Sequence, residues 1–311
     1  MTQTLAASDD PVVRRFNQRF GAALRARRTE TLLTCAVIVL LYIVSAVWTE
    51  FSLEKVAIGL PRIGEYVGKL FSIEPTAGHT EPVLGWSHLF GGVKQPQSFA
   101  YWFYRIEVYL HLLWQTVEMA ILSTAMGFAG AFVLSFPATF TLLRNRTAVF
   151  AIRRLLEIFR AIPQVVLAFI LVWPFGIGPL AGVLAIAIHT TGALGKLFSE
   201  LNESADLKPV EGVRSVGGSW LAQIRYGVIP QVLPGFLSYT LLRFEINVRS
   251  STIIGFVGAG GIGQELMRVI SFNIYEEVSA ICILILLIVI AIDLGSGEIR
   301  RRFISNLTAV A

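Results

Sequence analysis

Long uncharged runs separated by short polar stretches dominate the pattern along this chain. Thr31–Thr49 carries no charge between Glu30 and Glu50, and at 1.5 Å per residue it crosses a hydrocarbon core. Met119–Leu143 is uncharged and longer. Ala161–Gly195 is uncharged and too long for one helix. Trp173-Pro174-Phe175-Gly176-Ile177-Gly178-Pro179 interrupts it with a turn signal, predicting spans over 150–173 and 180–199. Two more spans are read over 232–257 and 278–294, giving six in all. Phe51–Phe71 reads equally as an amphipathic helix on a membrane surface and as a packed external loop.

Composition sharpens this picture. Only 15% of 311 residues are charged against 54% hydrophobic, whereas soluble domains carry about 25% charged residues. Lipid is therefore the expected solvent, and a net charge of +5 speaks to topology before nucleic acid. Arg14, Arg15, Arg19, Arg25, Arg27 and Arg28 precede the first span, and Arg300-Arg301-Arg302 follow the last. Both ends are expected in the cytoplasm. So are Arg144, Arg146, Arg153 and Arg154, after the second span. The long hydrophilic lead argues against a cleaved signal peptide. Cys35 and Cys282 lie in apolar runs and read as small buried hydrophobes, not as a disulfide or metal site. His79, His88, His111 and His189 show no metal-binding spacing, so no metal or cofactor is expected.

Residues 200–231 are hydrophilic. Pro209 suits a helix's first turn and Glu211 suits the positive end of its dipole. Gly217-Gly218 ends that helix, and a second short helix is expected over 219–226. Such a helix–Gly–helix element is a natural docking knob for a soluble partner.

These residues resemble the cytoplasmic loop of ABC importer permeases, patterned Glu-Ala-Ala, three residues, Gly, nine residues, Ile, one residue, Leu-Pro. Here Glu211, Gly217 and Ile229-Pro230 hold the register, while Gly212 and Val213 replace the alanines and Gly227 the first Ile. Arg160-Ala-Ile-Pro163, His189-Thr-Thr-Gly192, Gly195-Lys-Leu-Phe-Ser-Glu200, Arg243–Thr252 and Gly258–Gly263 resemble the phosphonate-transporter permeases over about residues 110–300. The resemblance implies an all-α integral membrane protein with six transmembrane helices and a type I, methionine- and maltose-importer-like core. It implies a bacterial inner-membrane homodimer working by alternating access, bound to two ABC ATPase subunits and fed by an extracytoplasmic binding protein. The cargo would be phosphonate, phosphate or phosphite. The expected organisation is a basic N-terminus over 1–30, a first helix over 31–49 and an external segment over 50–110. The permease core follows over 111–296, then a cytoplasmic tail over 297–311. Glu203, Glu211, Gly212, Arg214, Gly217 and Pro230 are the candidate ATPase-coupling residues.

Span five holds charges that cost at least ~2.5–3.5 kcal/mol each at bilayer depth, so each should face protein or water. Glu245 and Arg249 stand at i, i+4 with the acid first, the order that favours an intrahelical pair. Arg243 lacks such a partner, and its helical face continues through Asn247 and Ser250. Arg243, Glu245, Asn247, Arg249, Ser250, Ser251 and Thr252, with His189 and Thr190 of span four, are the candidate pathway residues; His189 also reads as a packing histidine. Two Arg and one Glu leave one positive charge per chain, suited to admitting a dianion without holding it tightly. Gly258, Gly260 and Gly263 satisfy G-x-G-x-x-G but follow a membrane helix instead of a strand. They read as a tight exit from the span, with an anion-binding backbone nest as a further option. No Gly-Lys-Ser/Thr phosphate loop is present, so ATP hydrolysis would belong to another chain. The competing readings are a permease for another small anion, a self-contained secondary transporter and a membrane enzyme. Only one clear intramembrane acid and no internal repeat speak for the secondary transporter.

Overall fold

The computed structural model describes residues 11–49, 52–70, 72–76, 79–82, 103, 105–143 and 145–308. The chain divides into two units, residues 1–68 and 69–311. In the first, α1 (Pro11–Trp48) is one continuous helix that starts well before the expected span, and its 22-residue apolar stretch Arg27–Trp48 is fully exposed. Charge sets where lipid begins but does not end a helix, because Arg and Glu are good helix formers. α2 (Leu53–Leu70) is helical, one of the two readings of 51–71, with Pro61 inside it.

The second unit opens with a two-stranded hairpin, β1 (Ser72–Thr76) and β2 (His79–Pro82), paired antiparallel. Most of the expected external segment after it, His88 included, lies outside the described residues. Then come α3 (Ile106–Ser135), α4 (Arg146–Ala161), α5 (Gln164–Phe175), α6 (Pro179–Ser204), α7 (Lys208–Ser215), α8 (Ile229–Ile254), α9 (Gly261–Ser271) and α10 (Tyr275–Thr308). A short turn at Trp220–Ala222 and a π-helical turn over Gln223–Val228 lead into α8, and a second π-helical turn, Gly255–Ala259, ends it. Among the described residues four helices are long and apolar enough to cross a membrane, and two bent pairs, α4 with α5 and α8 with α9, bring the number to as many as six.

Two spans differ from their sequence reading. The expected 150–173 helix is broken by 90° between α4 and α5. Pro163 lacks an N–H and holds Ile162 extended, at φ −79° and ψ 123°. The second span begins at Ile106 instead of Met119, which places Glu118 inside it, on an exposed face. A helix does not stop at a charge that meets water or protein.

Three apolar clusters lie along α3. Near its start Tyr109 and Leu113 meet Ile262, Leu266, Val278 and Ile281. Midway Met119 meets Leu167, Val183, Ile186 and Ile254. At its far end Ala131 and Phe136 meet Leu194, Phe198, Val232 and Phe236, with the Phe198 and Phe236 rings stacked at 4.0 Å. Val210 of α7 belongs to that last cluster and fastens the short helix to the base of α8. Gly227, where the loop pattern has Ile, makes this possible: a Cβ there would stand 3.0 Å from Val210 Cα and 3.1 Å from its N.

Both cysteines are exposed on the isolated protomer, not buried as expected. In a membrane protein the outward face is apolar, so an apolar run does not imply a protein interior.

Candidate translocation site and coupling segment

Arg243 points from α8 toward α6. Its Nη2 donates to Nδ1 of His189, and its Nε lies 3.5 Å from Thr190 Oγ1. Arginine only donates, so Nδ1 is the acceptor and the ring proton sits on Nε2. The Gln164 amide, one residue past the Pro163 break, lies 3.1 Å from the same Nδ1, and the ring also interacts with the Arg160 backbone. Arg243 thereby links α8, α6 and the bend between α4 and α5. Among the described residues no carboxylate comes within ion-pairing distance of it. Nη1 and one Nη2 hydrogen have no assigned partner there.

Behind this cluster the polar groups satisfy one another. Asn247 is fully buried, and its Nδ2 donates to Thr124 Oγ1 at 2.9 Å and Thr190 Oγ1 at 3.1 Å. Thr190 is equally buried. Ser251 is buried and donates to Asn247 O at 2.8 Å, and Thr252 Oγ1 lies 3.3 Å from Val248 O. Asn247, Thr190 and Ser251 stand inside the protomer and hold the wall, while Ser250, Thr252 and Arg243 are half-buried.

The intrahelical Glu245–Arg249 pair does not form. Arg249 pairs with Asp293 of α10, and Glu245 accepts from Ser296, one helical turn further along α10. Packing of α8 on α10 offers each a partner closer than one on its own helix. The intramembrane charge count changes accordingly: Asp293 neutralises Arg249, and Glu245 is held by a hydroxyl.

At the coupling segment, α7 carries Glu211 in its first turn, and Glu211, Gly212, Arg214 and Gly217 are all exposed. Gly217 has φ +80°, and Gly217 N–H donates to Arg214 O at 3.0 Å. The Gly218 N–H donates to Val213 O at 2.9 Å, closing the helix with a left-handed cap. Pro230 stands in the first turn of α8, where a missing N–H costs nothing. Glu203 plays a different part from its neighbours. It pairs with Arg153 of α4 and accepts from Phe140 N at 3.0 Å, tying the turn after α3 to α6.

The glycine motif forms a helix-to-helix turn. The Gly261 N–H donates to Gln115 Oε1 at 3.2 Å and the Ile262 N–H to Thr116 Oγ1 at 3.0 Å. Side chains of α3 take these two donors, and a helix instead of a strand leads into the turn.

Residues 130–303 match the family described as binding-protein-dependent transport system inner membrane component, over more than half the chain. The chain belongs to this family. It is therefore the membrane-embedded permease of a transport system, which removes the secondary-transporter and membrane-enzyme readings. It is 38% identical over 188 residues to the phosphite transport system permease protein PtxC of Stutzerimonas stutzeri, covering 60% of this chain and 68% of that one. Against the phosphate-import permease protein PhnE of Mycolicibacterium smegmatis it is 40% identical over 194 residues, 61% of this chain and 36% of that longer one. Its fold is similar to a chain of the MetNI methionine ABC transporter in an inward-facing conformation, with TM-score 0.56 at 20% identity, covering 64% of this chain and 97% of the other. This likeness supports the type I importer architecture.

Sequence reasoning named Arg243, His189 and Thr190, which do come together. It missed Gln164, Thr124, Asp293 and Ser296. A proline at residue 163 was the one signal that a polar side chain nearby had a bend to serve.

Proposed function

We propose that this permease carries a phosphorus oxyanion (phosphate, phosphite or a phosphonate) inward, as one half of a homodimer driven by two ATPase subunits and supplied by an extracytoplasmic binding protein. The observation that carries the reading is Arg243: a cation midway along a membrane helix, with no carboxylate within ion-pairing distance among the described residues and donors to spare. A guanidinium at that depth is tolerated where water or protein surrounds it, and its planar fork suits phosphoryl oxygens. The names of the relatives support this ligand class. The buried Asn247–Thr190–Thr124 group fixes the helices behind Arg243, so that an anion meets one held cation and hydroxyl or imidazole neighbours. That is enough to admit a dianion and too little to trap it. In proteoliposomes holding the permease, its ATPase and its binding protein, at least one of phosphate, phosphite and methylphosphonate should enter in an ATP-dependent, saturable way. Uptake of methionine or maltose in their place would sink the assignment.

The exposed face of α7 is the docking knob for the ATPase, on the cytoplasmic side with both chain ends. Thiol labelling of a cysteine at position 215 should succeed only from that side. Gly217→Val forces a β-branched residue into a left-handed backbone, a cost of about 1–3 kcal/mol borne by the cap. Because nothing lies within 4 Å of a Cβ at this position, the strain stays local and insertion survives. Transport and ligand-stimulated hydrolysis should fall together. Normal transport by this variant would remove Gly217 from the coupling role.

A further inference from the structure

The polar surface does not end at Arg243. α6 repeats polar or small residues on one stripe, at His189, Ala193, Lys196 and Glu200, which by helix geometry runs about 16 Å toward the coupling segment. α4 lies against this part of α6 at close range, since a Cβ at Gly192 would stand 2.6 Å from Leu156 O and 2.7 Å from Arg160 N. That approach sets Arg160, the last charged residue of α4, beside the stripe. The result is an open groove of about 360 Å³ lined by Arg160, Ala193, Lys196, Leu197 and Glu200. The Arg160 side chain is exposed and has no hydrogen-bond or ion-pair partner among the described residues. Lys196 Nζ is 3.8 Å from Glu200 Oε1, a loose contact between side chains 40% and 53% exposed. Arg160, Lys196 and Glu200 share this one face, and each needs water, a headgroup or an ion to meet its charge.

We propose that the Arg160–Lys196 groove is a second, inner station for the oxyanion, between Arg243 and the coupling segment. This rests on the reading of the chain as a phosphorus-oxyanion permease. The groove has the volume for a tetrahedral anion, which occupies well under 360 Å³ with its first waters. Two cations converge on it from different helices, so a dianion can be met from both sides. His189 joins the stations: its ring holds Arg243 on one side and meets the Arg160 backbone on the other. Glu200 supplies the release. It competes with the anion for Lys196, so the net charge of the station is +1 and the anion is passed on instead of kept. Below it Glu157 and Arg153 line a smaller continuation of the same groove, with about 50 Å³ of free space.

The test uses the assembled transporter with inorganic phosphate as the probe. Arg160→Gln and Lys196→Gln should each lower phosphate uptake about tenfold or more, the effect of losing one charge-assisted contact. Arg160→Lys and Lys196→Arg should keep at least half of it. Assembled glutamine variants with wild-type uptake would take the groove off the pathway. A second measurement covers variants that fail to assemble. Ala193→Cys on the groove wall, in a background with Cys35→Ser and Cys282→Ser, is reacted in the purified complex with an anionic and a cationic methanethiosulfonate. The ratio of anionic to cationic rate should exceed that of a cysteine at exposed position 215, outside the groove, and millimolar phosphate should slow the anionic reaction at position 193. Equal ratios and no slowing by phosphate would overturn the proposal. Should the wild-type transporter import no phosphorus oxyanion, the substrate assignment falls, while the reagent ratio still decides whether the groove gathers anions.

Discussion

Gly263→Ala should leave almost no assembled permease in the membrane. A Cβ at this position would lie 1.9 Å from the Thr252 carbonyl oxygen and 3.1 Å from Gly255 Cα. Both obstacles are backbone, so no rotamer change relieves them. The contact belongs to the turn where α8 folds back into α9 through 59°. Opening it by the more than 1 Å required would also pull the Gly261 and Ile262 N–H groups from Gln115 and Thr116. The expected destabilisation exceeds about 3 kcal/mol, from overpacking together with unsatisfied buried donors. Gly212→Ala is the control. It lies in α7 with nothing within 4 Å of an added Cβ, so replacing a helical glycine should stabilise by about 0.5–1 kcal/mol. Thermal unfolding of the detergent-solubilised complex measures both, and yield of co-purifying ATPase follows Gly263→Ala. A well-assembled Gly263→Ala protein would show that the α8–α9 turn is looser than described.

The second large effect is expected at Arg243. Arg243→Gln keeps an amide nitrogen about where Nε lies, close to Thr190, but gives up the contact to His189 and removes the charge. Losing a charge-assisted contact of about 1.5–3 kcal/mol corresponds to a fall in oxyanion uptake of tenfold or more. Assembly should be retained, because Asn247, Thr124 and Thr190 hold α8, α3 and α6 together without it. Arg243→Lys should recover only part of the uptake, because an ammonium lacks the fork that holds His189 while leaving donors to spare. If Arg243→Gln fails to assemble, its link to the Pro163 bend is the main role. If uptake in an assembled complex is unchanged, Arg243 lies off the pathway.

The architecture was readable where local chemistry decides it. Pro209, Glu211 and Gly217-Gly218 prescribe α7 and its end without help from the rest of the chain, and Trp173–Pro179 prescribes the turn before α6. Hydropathy counts residues in lipid but does not register direction, so the 90° bend at Pro163 passed as a straight span. Glu118 ended the second uncharged run, and the span was therefore begun 13 residues after Ile106. Charge pairing fails for a related reason. The i, i+4 spacing of Glu245 and Arg249 is visible in sequence, whereas Asp293 and Ser296 become neighbours only when α10 packs on α8. Arg160 and Lys196 stood inside motifs quoted for their family likeness, yet nothing local joins them. Their proximity depends on how closely two backbones approach at Gly192.

The burial of Val210 against Gly227 has a mechanical side. α7 is seated on the foot of the helix that carries Arg243, 14 residues and about 21 Å further along. On the docking role proposed for α7, the pair forms a lever with its short arm at the ATPase and its long arm in the membrane. A tilt of roughly 10° about that foot would sweep the Arg243 backbone by about 4 Å. Such a displacement exceeds a hydrogen-bond length, so it is enough to part Arg243 from His189. A small stroke at one end of α8 would thus be sufficient to change which groups the cation faces at the other.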